Sequence, residues 1–279
     1  MNEPSALAER FEEQRPRLRA LAYRMLGSLT EADDALQEAW LRAEHADTGE
    51  VANLPGWLTT VTARVCLNML RSRSRRRETP LDVRVPDPVV SPESGLDPEH
   101  EALLADSIGL ALLVVLETLA PAERLAFVLH DMFAVPFEDV ARVLDRTPAA
   151  ARQLASRARR RVEARTTTPE PDRGRLKEVV DAFLDASRRG DFDALVAVLD
   201  PDVVLCSDGG TARPALNLVL RGGRTVAGRA TLFRAFAPLA LPVLVNGAPG
   251  FLVADERGPI SVMAFTVAAG KITAIDVLA

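Results

Sequence analysis

The sequence is poor in the residues that build disulfide scaffolds, metal centres and acid–base sites. Its 279 residues include two cysteines, three histidines and one tyrosine. Cys66 and Cys206 are too few for a disulfide framework, which favours a reducing compartment. Because no closely spaced cysteines or histidines form a metal-ligand pattern, we expect neither a metal ion nor a cofactor.

The chain also lacks an excess of positive charge and any long hydrophobic run. Its formal net charge is −5, so it is not a polycation that coats nucleic acid, and DNA binding would depend on local basic patches at 64–77 and 152–165. The apolar run Leu110–Leu116 is too short to cross a bilayer. The first residues, MNEPSALAERFEEQ, are polar and acidic, unlike a signal peptide. These features predict a soluble, cytoplasmic protein without membrane contact.

What the chain does contain is a helix–turn–helix pattern between Leu119 and Val162. Pro121 is placed for the first turn of a helix, which continues with apolar residues at three- and four-residue spacing. A second helix is predicted over about 137–144. The turn is Asp145-Arg146, and Thr147-Pro148 begins the third helix as N-cap and first helical residue.

The third helix has a small apolar stripe on one side and a basic, polar face on the other. Arginine can donate two hydrogen bonds to guanine and glutamine can pair with adenine, so this face suits a DNA major groove. The alternative is the solvated basic face of an ordinary bundle helix. The candidate DNA-binding residues are Arg152, Gln153, Ser156, Arg157 and Arg160.

The N-terminal part reads as three helices. An amphipathic helix over about 11–26 precedes one over about 31–43, for which Thr30 and Asp33 resemble a capping box. A long helix then runs from Trp57 to about Arg77, with a core side predicted to be Trp57, Leu58, Val61, Val65 and Met69. Its basic end suits either the helix dipole or a nucleic-acid backbone.

Residues 79–100 read as an acidic, proline-rich linker, because repeated proline forbids a regular helix. An apolar helix over 101–119 leads into the helix–turn–helix. From residue 174 the pattern changes to two helices followed by strand-like runs, which predicts a curved sheet wrapped on helices. The runs are 203–206, 216–221, 243–246, 251–254, 260–267 and 271–277.

Three stretches together resemble the extracytoplasmic-function (ECF) sigma factors of bacteria. They are LAYRMLGSLTEADDALQEAWLR at 21–42, LPGWLTTVTARVCLNMLRSRSRRRET at 54–79 and the helix–turn–helix itself. The C-terminal part resembles the SnoaL-like, NTF2-type cone fused to one subgroup, through GDFDALVAVLDPDVVLCSDGG at 190–210 and VNGAPG at 245–250. The implied fold is multidomain: all-α sigma region 2 (1–78), the linker (79–100), all-α sigma region 4 (101–165) and an α+β cone (174–279).

The resemblance implies roles in transcription initiation for named residues, with core RNA polymerase and promoter DNA as partners. The helix–turn–helix residues would read the minus-thirty-five element. The residues expected to dock on core polymerase are Asp33, Asp34, Gln37, Glu38 and Trp40. Those expected to capture and melt the minus-ten element are Asn53, Trp57, Arg64, Asn68, Arg71 and Arg73.

The cone is expected to regulate the sigma domains through an intramolecular contact. The expected contact residues are Pro86, Asp87 and Pro88 of the linker with Asp208, Gly209 and Gly210 of the cone. The chain departs from the subgroup here: its glycine-rich segment is DGGT, and its linker motif, RVPDPV at 84–89, lacks a tryptophan. An unknown small ligand of the cone is a further possible partner.

Two other functions remain open from the residues. One is a helix–turn–helix regulator with a ligand-sensing cone, which leaves the Trp57 helix and the linker without a purpose. The other is a cone enzyme with a nucleic-acid tether. Its possible bases, Asp202, Asp208 and Asp276, lie beside turns or a strand end, where aspartate is common for local reasons. We therefore expect no enzymatic activity.

Overall fold

The computed structural model describes residues 3–46, 51–76, 85–93, 109–163 and 172–279. They form two compact units. The first contains the described residues up to 76 together with 115–163, and the second contains 85–93, 109–114 and 172–279. The outer parts of the predicted linker and the first half of the predicted helix over 101–119 lie outside the described residues.

The N-terminal half of the first unit is a bundle of three helices, as the sequence predicted. Apolar faces of all three meet in one core, which includes Phe11, Leu21, Met25, Leu36 and Leu58. The helices are α1 (Glu3–Leu26), α2 (Leu29–Glu44) and α3 (Leu54–Arg76).

Two local predictions about this bundle are wrong. The N-cap of α2 is Ser28, whose hydroxyl accepts a hydrogen bond from the amide of Glu31 at 3.4 Å, so Thr30 lies inside the helix. The buried face of α3 includes Leu58, Thr62 and Val65, whereas Trp57 is half-exposed. Val61 and Met69 of the predicted core side are likewise half-exposed. The small side chains Thr62 and Ala63 are fully buried, which allows α3 a close approach to its neighbours.

The C-terminal half of the first unit contains the predicted helix–turn–helix. Asp145 ends the second of its helices in the left-handed conformation (φ +55°), and Thr147 Oγ1 accepts a hydrogen bond from Ala150 N at 3.2 Å. The first predicted helix is not uniform, because the chain widens into a π-turn at Val128–Met132. The helices of this half are α5 (Pro121–Phe127), α6 (Phe137–Leu144) and α7 (Pro148–Glu163). They are preceded by α4 (Leu110–Glu117), whose residues 110–114 belong to the second unit.

The second unit is a mixed sheet covered by helices. The strand order is β1-β4-β5-β6-β7-β2-β3, and every neighbouring pair is antiparallel except β2 with β7. The strands are β1 (Val90–Pro92), β2 (Leu199–Asp208), β3 (Leu218–Arg221), β4 (Ala240–Val245), β5 (Ala248–Asp255), β6 (Gly258–Ala268) and β7 (Lys271–Leu278). The helices are α8 (Arg173–Arg189), α9 (Phe192–Val198) and α10 (Gly223–Leu232).

The core of this unit lies between the helices and one face of the sheet. Phe183 of α8 packs edge-on against Phe265, which in turn packs against Phe251. Six strands correspond to the six predicted runs, and the predicted α+β fold class is confirmed. Two elements of this unit were not predicted. One is α10, which begins at Gly223 in a pair of glycines typical of a turn. The other is β1, which lies at a sheet edge, where proline is tolerated. Among the described residues, no helix is long and apolar enough to cross a membrane.

Candidate nucleic-acid interface and docked linker

The five residues predicted to read DNA lie together on α7. Arg152, Gln153, Ser156, Arg157 and Arg160 line one shallow concavity of about 500 Å³. The opposite side of α7 is a stripe of three fully buried alanines, Ala151, Ala155 and Ala158. Alanine has no side chain beyond Cβ, so α7 packs closely on α5 and α6 while its long polar side chains point away from them.

Acidic residues of the neighbouring helices hold several of these arginines. Glu123 is only 5% exposed and lies 2.7 Å from Arg161 Nη1 and 3.8 Å from Arg157 Nε. Arg152 pairs with Glu138 at 3.2 Å and lies over the ring of Phe137. These exposed arginines keep most of their hydration, so the ion pairs orient them more than they stabilise the fold.

Most of the predicted minus-ten residues share one face of α3. Trp57, Arg64, Asn68 and Arg71 follow at spacings of seven, four and three residues, so they lie along one side of the helix. Arg64, Asn68 and Arg71 are exposed and Trp57 is half-exposed. This face is therefore a solvent-accessible row of an aromatic ring, two cations and an amide.

Two predicted minus-ten residues lie away from that face. Arg73 is about 160° from Trp57 around the helix. It donates hydrogen bonds to the carbonyl oxygen of Leu26, forms an ion pair with Glu31, and lies 4.0 Å from Glu117. Asn53 precedes α3, where its Oδ1 accepts a hydrogen bond from Gly56 N at 3.0 Å. Both residues thus have structural partners that the sequence pattern did not show.

The two helical halves of the first unit are joined through two arginines. Arg124 is 3% exposed, and its Nη1 donates to Met25 O and to Glu117 Oε1, both at 2.8 Å. Arg64 Nη2 donates to Arg142 O at 2.9 Å, which links α3 to α6. Arg64, which was predicted to contact DNA, therefore has a hydrogen-bond partner within the first unit.

The surface predicted to bind polymerase is an acidic stripe on α2. Asp34, Gln37 and Glu38 are exposed, and with them lies Leu41, which is 44% exposed and was not singled out from the sequence. Asp33 is also exposed and forms an ion pair with Arg19 at 2.7 Å, as Glu38 does with Arg42 at 2.8 Å. Trp40 is half-exposed and packs edge-on against Phe11.

The described part of the linker, 85–93, is docked on the sheet of the second unit. β1 pairs with β4, and Val85 N donates to Asp208 Oδ2 at 2.9 Å. Asn246 makes two further bonds: Val89 N donates to its Oδ1 at 3.1 Å, and its own amide donates to Val89 O at 2.8 Å. On the linker side, these three hydrogen bonds involve Val85 and Val89, which flank the predicted Pro86-Asp87-Pro88. Asn246 lies in the VNGAPG segment, but its role could not be read from the pattern.

The Asp208-Gly209-Gly210 segment is shaped to present the Asp208 carboxylate to the linker. Gly210 N donates to Asp208 Oδ1 at 2.8 Å, and Gly209 N donates to Asn217 Oδ1 at 2.6 Å. A Cβ at Gly209 would lie 2.2 Å from the carbonyl oxygen of Arg213. Only glycine fits there, so the segment is more than a generic turn.

The candidate catalytic carboxylates of the cone lie on two paired strands, Asp202 and Asp208 on β2 and Asp276 on β7. Asp202 is exposed within β2, at the register shift between Leu199 and Val204, and its amide donates to Asp200 Oδ1. Asp208 is used by the linker. Asp276 is buried on β7, and its burial raises the pKa of the carboxyl group from 3.8 to about 7. Within the described ranges no group of histidine, cysteine and acidic side chains could hold a metal ion.

Comparison with known proteins shows which family the chain resembles. Two family models match: Sigma-70 region 2 over residues 10–76 and Sigma-70, region 4 over residues 109–162. The chain is 40% identical over 274 residues to the ECF RNA polymerase sigma factor SigJ of Mycobacterium tuberculosis, covering 96% of this chain and 86% of that one. It is 34% identical over 281 residues to the probable ECF RNA polymerase sigma factor SigI of the same species, covering 100% and 94%.

A solved structure extends this similarity to the whole fold. The crystal structure of the M. tuberculosis extracytoplasmic function sigma factor SigJ matches with a TM-score of 0.80 at 36% sequence identity. The match covers 98% of this chain and 96% of that chain, so it includes the C-terminal sheet as well as the helical domains.

Proposed function

The chain belongs to the ECF RNA polymerase sigma factors, and from that premise we propose how its surfaces divide the work of promoter-specific initiation. α7 reads the minus-thirty-five element as duplex DNA. The observation that carries this assignment is the single concavity formed by the five polar residues from Arg152 to Arg160. The guanidinium groups can donate to guanine or phosphate, and Gln153 can pair with adenine.

The exposed face of α3 captures the minus-ten element. A flipped or unpaired base costs a few kcal/mol to unstack, roughly, and an aromatic ring beside cations offsets that cost by stacking and phosphate contact. Trp57 with Arg64, Asn68 and Arg71 provides this combination. Arg73 and Asn53 support α3 from within the protein.

Promoter binding requires the first unit to open. The two promoter elements are separated by about 25 base pairs, which corresponds to about 85 Å of duplex at about 3.4 Å per base pair. While Arg64 is bonded to Arg142, α3 and α6 are in direct contact and cannot reach both elements. Binding to core polymerase, through the acidic stripe and Leu41 of α2, would separate them.

The cone inhibits initiation by holding the linker. Residues 85–93 are fixed by β1 pairing and by Asp208 and Asn246. A linker held in this way is not available to enter the polymerase cleft, which is where an acidic linker of a sigma factor is expected to lie. The attachment is intramolecular, so even weak contacts are populated at an effective concentration of about a millimolar. The cone thus acts as a regulator and not as an enzyme.

Run-off transcription with purified core polymerase tests this proposal. We expect full-length protein to support initiation from a specific promoter, the Arg152→Ala variant to lose promoter selectivity, and residues 1–165 to be more active than the full chain. Core polymerase should also increase the affinity for promoter DNA. Tight operator binding by the isolated protein that core polymerase leaves unchanged would instead identify a helix–turn–helix repressor.

A further inference from the structure

A cavity of about 320 Å³ lies inside the second unit, between α8, α10 and the sheet. Its wall is mainly apolar and includes Phe183, Leu205, Phe233, Phe251, Val253 and Met263. Phe233 and Phe236, which also line it, are 41% and 43% exposed, so one side of the cavity is reached from solvent. Cavities of this size and polarity bind small molecules in many proteins.

The wall contains a buried hydroxyl that is left without a hydrogen bond. Ser187 of α8 lines the cavity and is 7% exposed, and its Oγ has no partner among the described residues. Buried polar atoms are nearly always paired, since leaving one unpaired costs about 1–3 kcal/mol. Ser187 therefore supplies an unpaired hydroxyl beside the cavity, which rotation of its side chain would offer to a polar atom of an occupant.

The charged side chains of the wall are all cationic. Arg213 donates to the carbonyl oxygen of Ile260 at 3.2 Å, and Arg229 lies over the ring of Phe233 at 4.9 Å. Neither forms an ion pair with a carboxylate of the described residues. The wall holds no aspartate, glutamate, histidine or tyrosine at its described positions, so it provides binding groups without an acid–base pair.

We propose that this cavity binds an aliphatic carboxylic acid. The carboxylate is held by the guanidinium groups and by Ser187, and the chain lies among the aromatic and aliphatic side chains. The cavity has room for about ten methylene-sized groups, given about 30 Å³ for a group the size of water. A ten-carbon acid is therefore the probe of choice. Two cationic side chains and no acidic side chain in the wall favour an anionic head over a neutral or cationic one.

Isothermal titration calorimetry of the full-length protein tests this with decanoate and decylamine below their micelle concentrations and decanol below its solubility limit. We expect decanoate to bind with one site per chain, and decanol and decylamine to bind at least tenfold more weakly. Ser187→Ala should weaken decanoate binding about fivefold, as loss of one hydrogen bond does.

Arg229→Gln has a matched control on the same helix. Arg224 also stacks on a phenylalanine, Phe192 at 5.1 Å, but lies outside the cavity. Arg229→Gln should weaken decanoate binding about tenfold and leave decanol binding unchanged, while Arg224→Gln should change neither. Arg213→Gln, at an exposed position, gives the same comparison if Arg229→Gln unfolds the cone. Equal binding of all three probes, or no decanoate binding by the wild-type protein, would overturn the proposal. Neither result depends on transcriptional activity.

Discussion

Asn246 and Val89 are joined by two hydrogen bonds: Val89 N donates to Asn246 Oδ1, and Asn246 N donates to Val89 O. Asn246 is 3% exposed and has φ +50°, a left-handed conformation that asparagine adopts more readily than most residues. The turn between β4 and β5 thereby presents both a donor and an acceptor to the linker. This pair extends the β1–β4 ladder beyond its last strand residue.

Replacing Asn246 by glycine should release the linker. Glycine keeps the left-handed backbone accessible and removes the side-chain carboxamide, whose Oδ1 accepts from Val89 N. Loss of a buried hydrogen bond worth about 1–2 kcal/mol should speed amide exchange of residues 85–93 by about tenfold, measured by hydrogen–deuterium exchange. Run-off transcription should rise with it. Asp202→Ala, at an exposed position of the same unit, is the control; exchange rates equal in both variants would rule out this role of Asn246.

The arginines of α7 should separate into base-reading and backbone-binding groups. Arg152→Ala or Arg157→Ala should cost about 1–3 kcal/mol of discrimination between promoter and mutated minus-thirty-five DNA, measured with the polymerase holoenzyme. Arg160→Ala should weaken binding evenly across sequences and reduce its salt dependence. Arg159 lies outside the concavity and pairs with Asp131, so Arg159→Ala is the control. If all variants lost affinity without loss of selectivity, α7 would contact only phosphates.

Substitutions of neighbouring polar residues of α3 should affect either promoter melting or the stability of the fold. Arg71→Ala and Asn68→Ala remove exposed groups, so stability should be unchanged while permanganate reactivity of the minus-ten region falls. Arg73→Ala removes the bonds to Leu26 and Glu31 and should lower the free energy of unfolding by about 1–3 kcal/mol in urea titration. Normal promoter melting by the Arg71 and Asn68 variants would contradict their assignment to the minus-ten element.

The buried Asp276 should make the stability of the protein depend on pH. Its pKa is about 7 in the folded state against 3.8 ordinarily, so ionisation destabilises the fold progressively as pH rises from about 4 to 7. Asp276→Asn avoids this cost. We expect the variant to exceed the wild type in unfolding free energy by at most about 4 kcal/mol at pH 8, with little difference at pH 4. A difference that stayed constant across this range would show that the carboxyl group does not titrate there.

The sequence alone was sufficient for the short-range features of the helix–turn–helix, but not for the N-cap of α2 at Ser28 or the buried face of α3. Helical periodicity, the Thr147-Pro148 start and the Asp145 turn follow from neighbours within four residues, and the structure has all of them. The row of polar residues on α7 likewise follows from spacing along one helix, which is why the five predicted residues share one concavity. The six strand-like runs of the C-terminal part were recognisable for the same reason.

The tertiary structure decided everything that depends on a distant partner. Nothing near Arg73 in the sequence shows that Leu26 and Glu31 bind it, so its basic neighbours made it look like another DNA contact. The proline-rich linker has no local pattern that predicts a strand. β1 forms there because β4 offers a free edge with which it can pair. The hydrogen bonding of Asn246, Arg64 and Ser187 could not be predicted from the sequence either. A hydrogen bond that is made or missing between residues far apart in the chain leaves no local periodicity. Side-chain identity set what each residue could bind, and the fold determined which of those bonds are made.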